Sequence, residues 1–247
     1  MPTVSESRSL TTHPAFVVPP DTPIIVTIDG PAGTGKSTVA RTLAAQLGLD
    51  FLDTGAMYRA AAAIVIDHQV DPDRSDAIVE RVASADLHFD WSMDPPGIMA
   101  WLVPLNERIR DADVTRLVSP LASIPELREH MVRKQRIIGR QHPRLVTEGR
   151  DQGSVVFPDA EVKFFLSARP EVRAERRAAQ LRRAGRDADA SLILADILER
   201  DRLDSTRVAG PLVCPDDAIQ VDTSDLEFAE VVRTLEARVR DRVASLL

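Results

Sequence analysis

The stretch Gly30-Pro31-Ala32-Gly33-Thr34-Gly35-Lys36-Ser37 follows the apolar run Ile24-Ile25-Val26-Thr27-Ile28 and spells a complete G-x-x-x-x-G-K-[ST] phosphate loop. Glycines in such a loop let the backbone turn its N–H groups inward onto a polyphosphate, and the helix that follows adds the positive end of its dipole. Lys36 is then placed to reach the β/γ-phosphates, and the Ser37 hydroxyl to ligand Mg²⁺. Gly30 to Ser37, with the adjoining Thr38, is therefore the expected ATP-binding segment, and Ser37 the expected metal ligand. Behind it Val39, Leu43, Ala44 and Leu47 recur at helical spacing, and Gly48 stands where a helix ends.

A phosphate loop serves switches, motors and kinases alike, so the acceptor must be read elsewhere. Guanine readout through N-K-x-D is excluded, because Asn106 is the sole asparagine and Glu107 follows it. Arginines dominate instead: Arg59, Arg128, Arg150, Arg176, Arg177, Arg200, Arg202 and Arg207, against only three lysines, Lys36, Lys134 and Lys163. Phosphoryl transfer between two nucleotides asks for such donors, since the protein mainly positions the reactants and neutralises charge on the moving group. The planar guanidinium fork matches phosphate oxygens better than an ammonium does. Two of these placements also have a plainer reading. The helix Pro170 to Ala184, taken alone, reads better as a solvated face with intrahelical pairs, and Arg200 with Asp204 fits an i,i+4 surface pair.

The elements that must hold these residues alternate. Short apolar strands are expected at Ile24 to Ile28, Phe51-Leu52, Arg144 to Thr147, Val162 to Leu166 and Ala218 to Val221, with helices between them and a long closing helix from Leu226. That alternation predicts an α/β fold, a parallel sheet with helices on both faces, whose ligands bind beyond the carboxyl ends of the strands. Gly30 to Ser37, Thr54 to Arg59 and Glu148 to Asp151 all follow strands, so one rim should gather them. Leu87 to Trp91 and Ile98 to Val103 are expected to pair across Pro95-Pro96-Gly97 as a small inserted unit. Met1 to Thr22, rich in Ser, Thr and Pro without periodicity, is expected to be a disordered tail.

At 247 residues the chain suits one sizeable domain, and its 44% apolar and 28% charged shares are those of a soluble globular protein. The net charge of -7 speaks against a nucleic-acid partner, and no apolar stretch reaches the roughly 20 residues of a membrane span. Cys214, the only cysteine, excludes an internal disulfide or a cysteine zinc cluster and suits a reducing compartment; a cytoplasmic monomer is expected.

Leu52-Asp53-Thr54-Gly55-Ala56-Met57-Tyr58-Arg59, Glu148-Gly149-Arg150-Asp151, Val155-Val156-Phe157-Pro158-Asp159-Ala160 and Glu199-Arg200-Asp201 through Asp204-Ser205-Thr206-Arg207, together with the phosphate loop, resemble bacterial cytidylate kinase. The resemblance runs from about residue 23 to 247. It implies transfer of the ATP γ-phosphate to CMP or dCMP, on a P-loop kinase core with a monophosphate-binding insert at about 60–143 and a helical lid at about 170–210. Matching positions imply that Thr54, Arg59 and Arg150 hold the acceptor phosphate and that Ser119, Arg128 and Asp151 face the cytosine. Arg200 and Asp204 would hold the sugar, Arg207 would lie beside the acceptor, and Arg176 and Arg177 would lie on the lid near the transferred phosphate. By the same resemblance Lys36, Arg150, Arg176, Arg177 and Arg207 form the expected catalytic set. Gln152 and Gly210 depart from the family's usual apolar residue and alanine. Two alternatives stay open: another P-loop small-molecule kinase, or a non-catalytic ATP-binding module.

Overall fold

In the computed structural model, which describes residues 16–246, five strands form one parallel sheet in the order β2-β6-β1-β7-β8. They are β1 (Ile24–Asp29), β2 (Asp50–Asp53), β6 (Arg144–Gly149), β7 (Val162–Ser167) and β8 (Ile219–Asp222). Alternation along β1 decides which helices cover which face. Ile24, Val26 and Ile28 pack with α1 (Lys36–Leu47) and α8 (Phe228–Leu246), while Ile25 points into the opposite core with α2 (Thr54–Asp67) and α5 (Pro125–Gln141). The register sets Asp29 beside Gly149 and Asp53 beside Glu148, so the carboxyl ends of β1, β2 and β6 finish level. The expected fold class is the observed one.

Helix α2 is buried on nearly every side. Asp53 caps it by accepting the Ala56 N–H at 2.9 Å, and Ala60, Ala61, Ala62 and Ala63 are all fully inaccessible. With no atom beyond Cβ on four consecutive positions, the sheet, α4 (Ala112–Leu121) and the inserted unit close directly on its backbone. The inserted unit contains α3 (Ser75–Ser84) and the antiparallel strands β3 (His88–Asp90), β4 (Gly97–Ala100) and β5 (Val103–Pro104), pairing as expected across Pro95-Pro96-Gly97 and adding a third strand. Beyond β7 come α6 (Pro170–Arg183) and α7 (Ala190–Thr206), packed together. Among the described residues no helix is long and apolar enough to cross a membrane.

The expectation of a disordered Met1 to Thr22 is corrected over the described part, Phe16 to Thr22; residues 1–15 lie outside the described residues. Val18 is fully buried against the α1/α8 core, and its N–H donates to Leu47 O at 3.0 Å. Arg144 at the head of β6 donates to Val18 O and Gly48 O, each at 3.0 Å, and to Pro19 O, while Arg240 of α8 lies 5.1 Å from the centre of the Phe16 ring. Compositional bias missed this because the anchors are long-range: one buried valine and a guanidinium more than a hundred residues away. A second unforeseen element is a π-turn at Gln152–Val156, immediately after Asp151.

Candidate active site

The rim beyond β1, β2 and β6 opens into a cleft of about 600 Å³, walled by the phosphate loop, the start of α2, α4, α5, the 148–151 segment, α6 and α7. Gly30 leaves β1 at φ +146°, and a Cβ there would lie 2.0 Å from Leu166 O, so only glycine lets the loop turn out past β7. Gly35 ends the loop in the left-handed region without a side-chain cap, leaving the first N–H groups of α1 free for a ligand. Lys36 lies folded across this loop, its Nζ donating to Pro31 O at 2.6 Å. Burial, reinforced by the nearby charge of Arg150, lowers its pKa to about 7. Ser37 Oγ donates to Glu148 Oε1 at 2.8 Å, so the hydroxyl expected to meet a metal already faces a carboxylate at the end of β6.

Opposite the loop stands a group of arginines. Arg59, one and a half turns into α2, donates to Thr115 Oγ1 at 3.0 Å. Arg150 donates from Nε to Asp204 Oδ2 at 2.8 Å, and Arg207 lies 3.6 Å from Asp204 Oδ1 while donating to Gly210 O at 2.6 Å. Arg200 Nε and Arg207 Nη2 are buried without a hydrogen-bond partner among the described residues. Burial first, and then the charge of Arg150, pulls the Arg200 guanidinium down to about 10; Arg59 is likewise depressed by burial, with Arg177 and Arg150 repelling it. Asp204, only 5% exposed, cannot neutralise them all. Asp204 is no surface partner of Arg200, as the i,i+4 spacing allowed, but the buried partner of Arg150. This is a cavity short of negative charge.

Farther along the cleft Arg128 of α5 and Asp151 form an ion pair, each about 4% exposed. Arg128 lies 5.4 Å over the Tyr58 ring, whose hydroxyl is buried without a partner among the described residues. Ser119 of α4 lines the same end. Thr54, at the start of α2, donates to Glu148 O at 2.7 Å.

The family-model comparison, which matches cytidylate kinase over residues 26–241, settles the lineage of this cleft. The chain belongs to the cytidylate kinase family. A cytidylate kinase of Corynebacterium glutamicum is 47% identical over 211 residues, spanning 85% of this chain and 91% of that protein. Those of Rhodococcus opacus and Azotobacter vinelandii are 45% and 41% identical over 223 and 222 residues, each spanning 89% of this chain and 96% of the relative.

Of the expected site residues, the cleft lining includes Ala32, Gly33, Gly35, Lys36, Ser37, Thr38, Thr54, Arg59, Ser119, Arg128, Arg150, Asp151, Arg177, Arg200, Asp204 and Arg207, while Gly30, Pro31 and Thr34 of the loop lie outside it. Arg176 is not brought there. One position along α6 turns the side chain by about 100°, and Arg176 donates instead to Thr223 Oγ1 and O, at 3.1 and 2.6 Å, past the end of β8. Nor is α6 wholly a solvated face: Arg173 is 3% exposed, pairs with Asp201 at 2.6 Å and donates to Ala32 O at 3.0 Å, fastening the phosphate loop to α7. Sequence reasoning gave no role to Glu148, Asp53 or Tyr58. Glu148 carried a signal as a charge beside the strand end, whereas Asp53, pushed up by burial and by Glu148, is legible only once β2 and β6 lie side by side.

Proposed function

We propose that this chain transfers the γ-phosphate of ATP to CMP or dCMP, giving ADP and CDP or dCDP. The observation that carries this is a single cleft holding, at one end, an open phosphate loop and, at the other, a buried Arg128–Asp151 pair, with mutually repelling arginines between. Cytosine presents an amine donor next to acceptors, matching a carboxylate beside a guanidinium, while uracil replaces that amine with a carbonyl. Leaving a buried partner unpaired typically costs roughly 1 to 3 kcal/mol.

The acceptor's phosphate lies among Arg59, Arg150 and Arg207, and one of its oxygens attacks the γ-phosphorus as the bond to the ADP oxygen breaks. Thr54 fixes the near wall of that pocket. Arg200 and Asp204 face the sugar, and Ser119 joins Arg128 and Asp151 at the base. Gly30 to Thr38 wrap the donor phosphates; Lys36 exchanges Pro31 O for them, and Arg177 meets the transferred group from the lid. Ser37 and Glu148 offer hard oxygens 2.8 Å apart and suit Mg²⁺, which when bound neutralises charge on the donor phosphates. Residues about 60–143 act as the monophosphate-binding insert and about 170–210 as the lid. The working unit is a monomer in the cytoplasm, whose reducing conditions suit the free thiol of Cys214.

A coupled ADP-release assay with CMP, dCMP, UMP and AMP in turn tests this. CMP and dCMP should be used with a kcat/KM at least about tenfold above UMP, one unpaired buried group. Equal use of UMP or AMP would rule out a cytidylate kinase activity, and ATP binding without any transfer would make the chain a binding module.

A further inference from the structure

Asp29, the last residue of β1, is 1% exposed. Its Oδ1 accepts the Gln152 N–H at 2.9 Å and its Oδ2 the Gly153 N–H at 2.7 Å, so both oxygens are committed to the first residues of the π-turn. A hydrogen bond to an ionised acceptor is about twice as strong as a neutral one, and two in parallel fix orientation as well as distance. The approach is close: a Cβ on Gly153 would sit 2.9 Å from Thr27 Oγ1. On the far side the Gln152 side chain accepts from Thr147 Oγ1 of β6 at 2.9 Å and donates to Gln135 Oε1 of α5 at 3.0 Å, all three residues being at most 1% exposed. Gln135 stands seven residues, about two turns, beyond Arg128, on the same face of α5. The residue next to this doubly clamped peptide is Asp151.

We propose that Asp29 is a positioning residue for acceptor selection: its carboxylate clamps the backbone after Asp151, and the Thr147–Gln152–Gln135 chain holds α5 to the same turn, so that Asp151 and Arg128 meet the base at a fixed spacing. This rests on the assignment of Arg128 and Asp151 to the base. Asp29 touches neither nucleotide and acts through Asp151. It also hangs the base-recognising turn and the phosphate loop from one strand end.

Asp29→Asn keeps the side-chain volume but turns one acceptor into an NH₂ that faces a backbone N–H. Steady-state kinetics with CMP, UMP and ATP should show KM for CMP up about tenfold, KM for ATP within about twofold of wild type, and the CMP-to-UMP ratio of kcat/KM reduced by about tenfold, one lost charge-assisted bond. If that variant does not melt cooperatively, Gln135→Met, which removes the acceptor on α5, is expected to give the same pattern. A lower melting temperature with unchanged KM for CMP and unchanged base ratio would make Asp29 merely structural and overturn the proposal, as would a parallel rise in both KM values. A wild-type enzyme indifferent to CMP and UMP would instead remove the base assignment itself.

Discussion

Asp204 of α7 and Arg150 at the end of β6 meet at 2.8 Å across 54 residues of sequence, in a pocket where the Asp204 side chain is only 6% exposed. That contact joins α7 to the core sheet beside the proposed acceptor-phosphate site. Asp204→Ala should leave Arg150 facing Arg200 and Arg59 with less compensation, at a cost of about 3 kcal/mol in a pair this buried. The expected result is a melting temperature lower by roughly 6 to 12 °C for a domain of this size, partly restored by saturating CMP. Differential scanning fluorimetry with and without CMP checks it. Asp204 also has a pKa held below the usual carboxylate range by Arg150, Arg200 and Arg207 against the opposing effect of burial. Its stabilisation is therefore present above the unfolded pKa and lost as pH falls through the folded one.

Lys36→Met should cost on the order of 100- to 1000-fold in kcat, the usual loss for an electrostatic stabiliser of transferred charge, while the fold survives. Folded Lys36 releases its proton near pH 7, whereas an unfolded lysine keeps it to about 10.5. Between those values the unfolded chain binds the extra proton, so this residue makes stability rise with pH across that window. ATP phosphates should recharge it. Calorimetry at pH 8 in buffers of different ionisation heat should find uptake of about one proton on ATP binding, absent in Lys36→Met.

Removing residues 1–21 should lower the melting temperature by roughly 5 °C, because a buried valine and two of the acceptors of Arg144, Val18 O and Pro19 O, go with them. Removing only residues 1–15 is expected to spare those contacts. Arg144→Ala in the full chain should reproduce most of the larger effect; thermal melts in which the two truncations behave alike would remove the anchoring role of Val18 and Pro19.

Asp151→Asn should lower kcat/KM for CMP and narrow the CMP-to-UMP ratio by about tenfold, since an amide can rotate to donate to uracil's carbonyl. Parallel kinetics on the two acceptors decide the point, and an unchanged preference would take Asp151 out of the base site.

Arg173→Ala should raise KM for ATP several-fold with little change for CMP, as it frees Ala32 O from its 3.0 Å anchor. Nucleotide titrations followed by fluorescence or calorimetry separate the two substrates.

What the sequence displayed and what it hid divide along range of contact. The phosphate loop was legible because its glycines, Lys36 and Ser37 are contiguous, and the parallel sheet because each strand is a short apolar run. Arg150 and Asp151 were legible as charges at a strand end. The partners were not: Asp204 could pair within its helix or across the cleft, and only burial decides for Arg150. Arg176 and Arg177 are adjacent in sequence and alike in type, yet the helix turns one toward Thr223 and the other toward the cleft. Phe16 to Thr22 looked like a tail because so short an irregular segment carries no period of its own, and its anchor at Arg144 is remote.

The bare stretch Ala60 to Ala63 restricts how this enzyme can change. Any larger residue there must push apart elements that now rest on backbone, and overpacking of a filled core costs typically 1 to 3 kcal/mol for each such change. Arg59 precedes that stretch directly, so the end of α2 proposed to meet the acceptor phosphate is tied to a part of the molecule with almost no mutational freedom. New acceptor preferences have to be drawn instead from the rim, where Ser119, Arg128 and Arg200 stand on helices whose other faces reach solvent. On the proposed assignment, packing locks the phosphate end of the cleft, and changes of base fall to side chains outside that packed stretch.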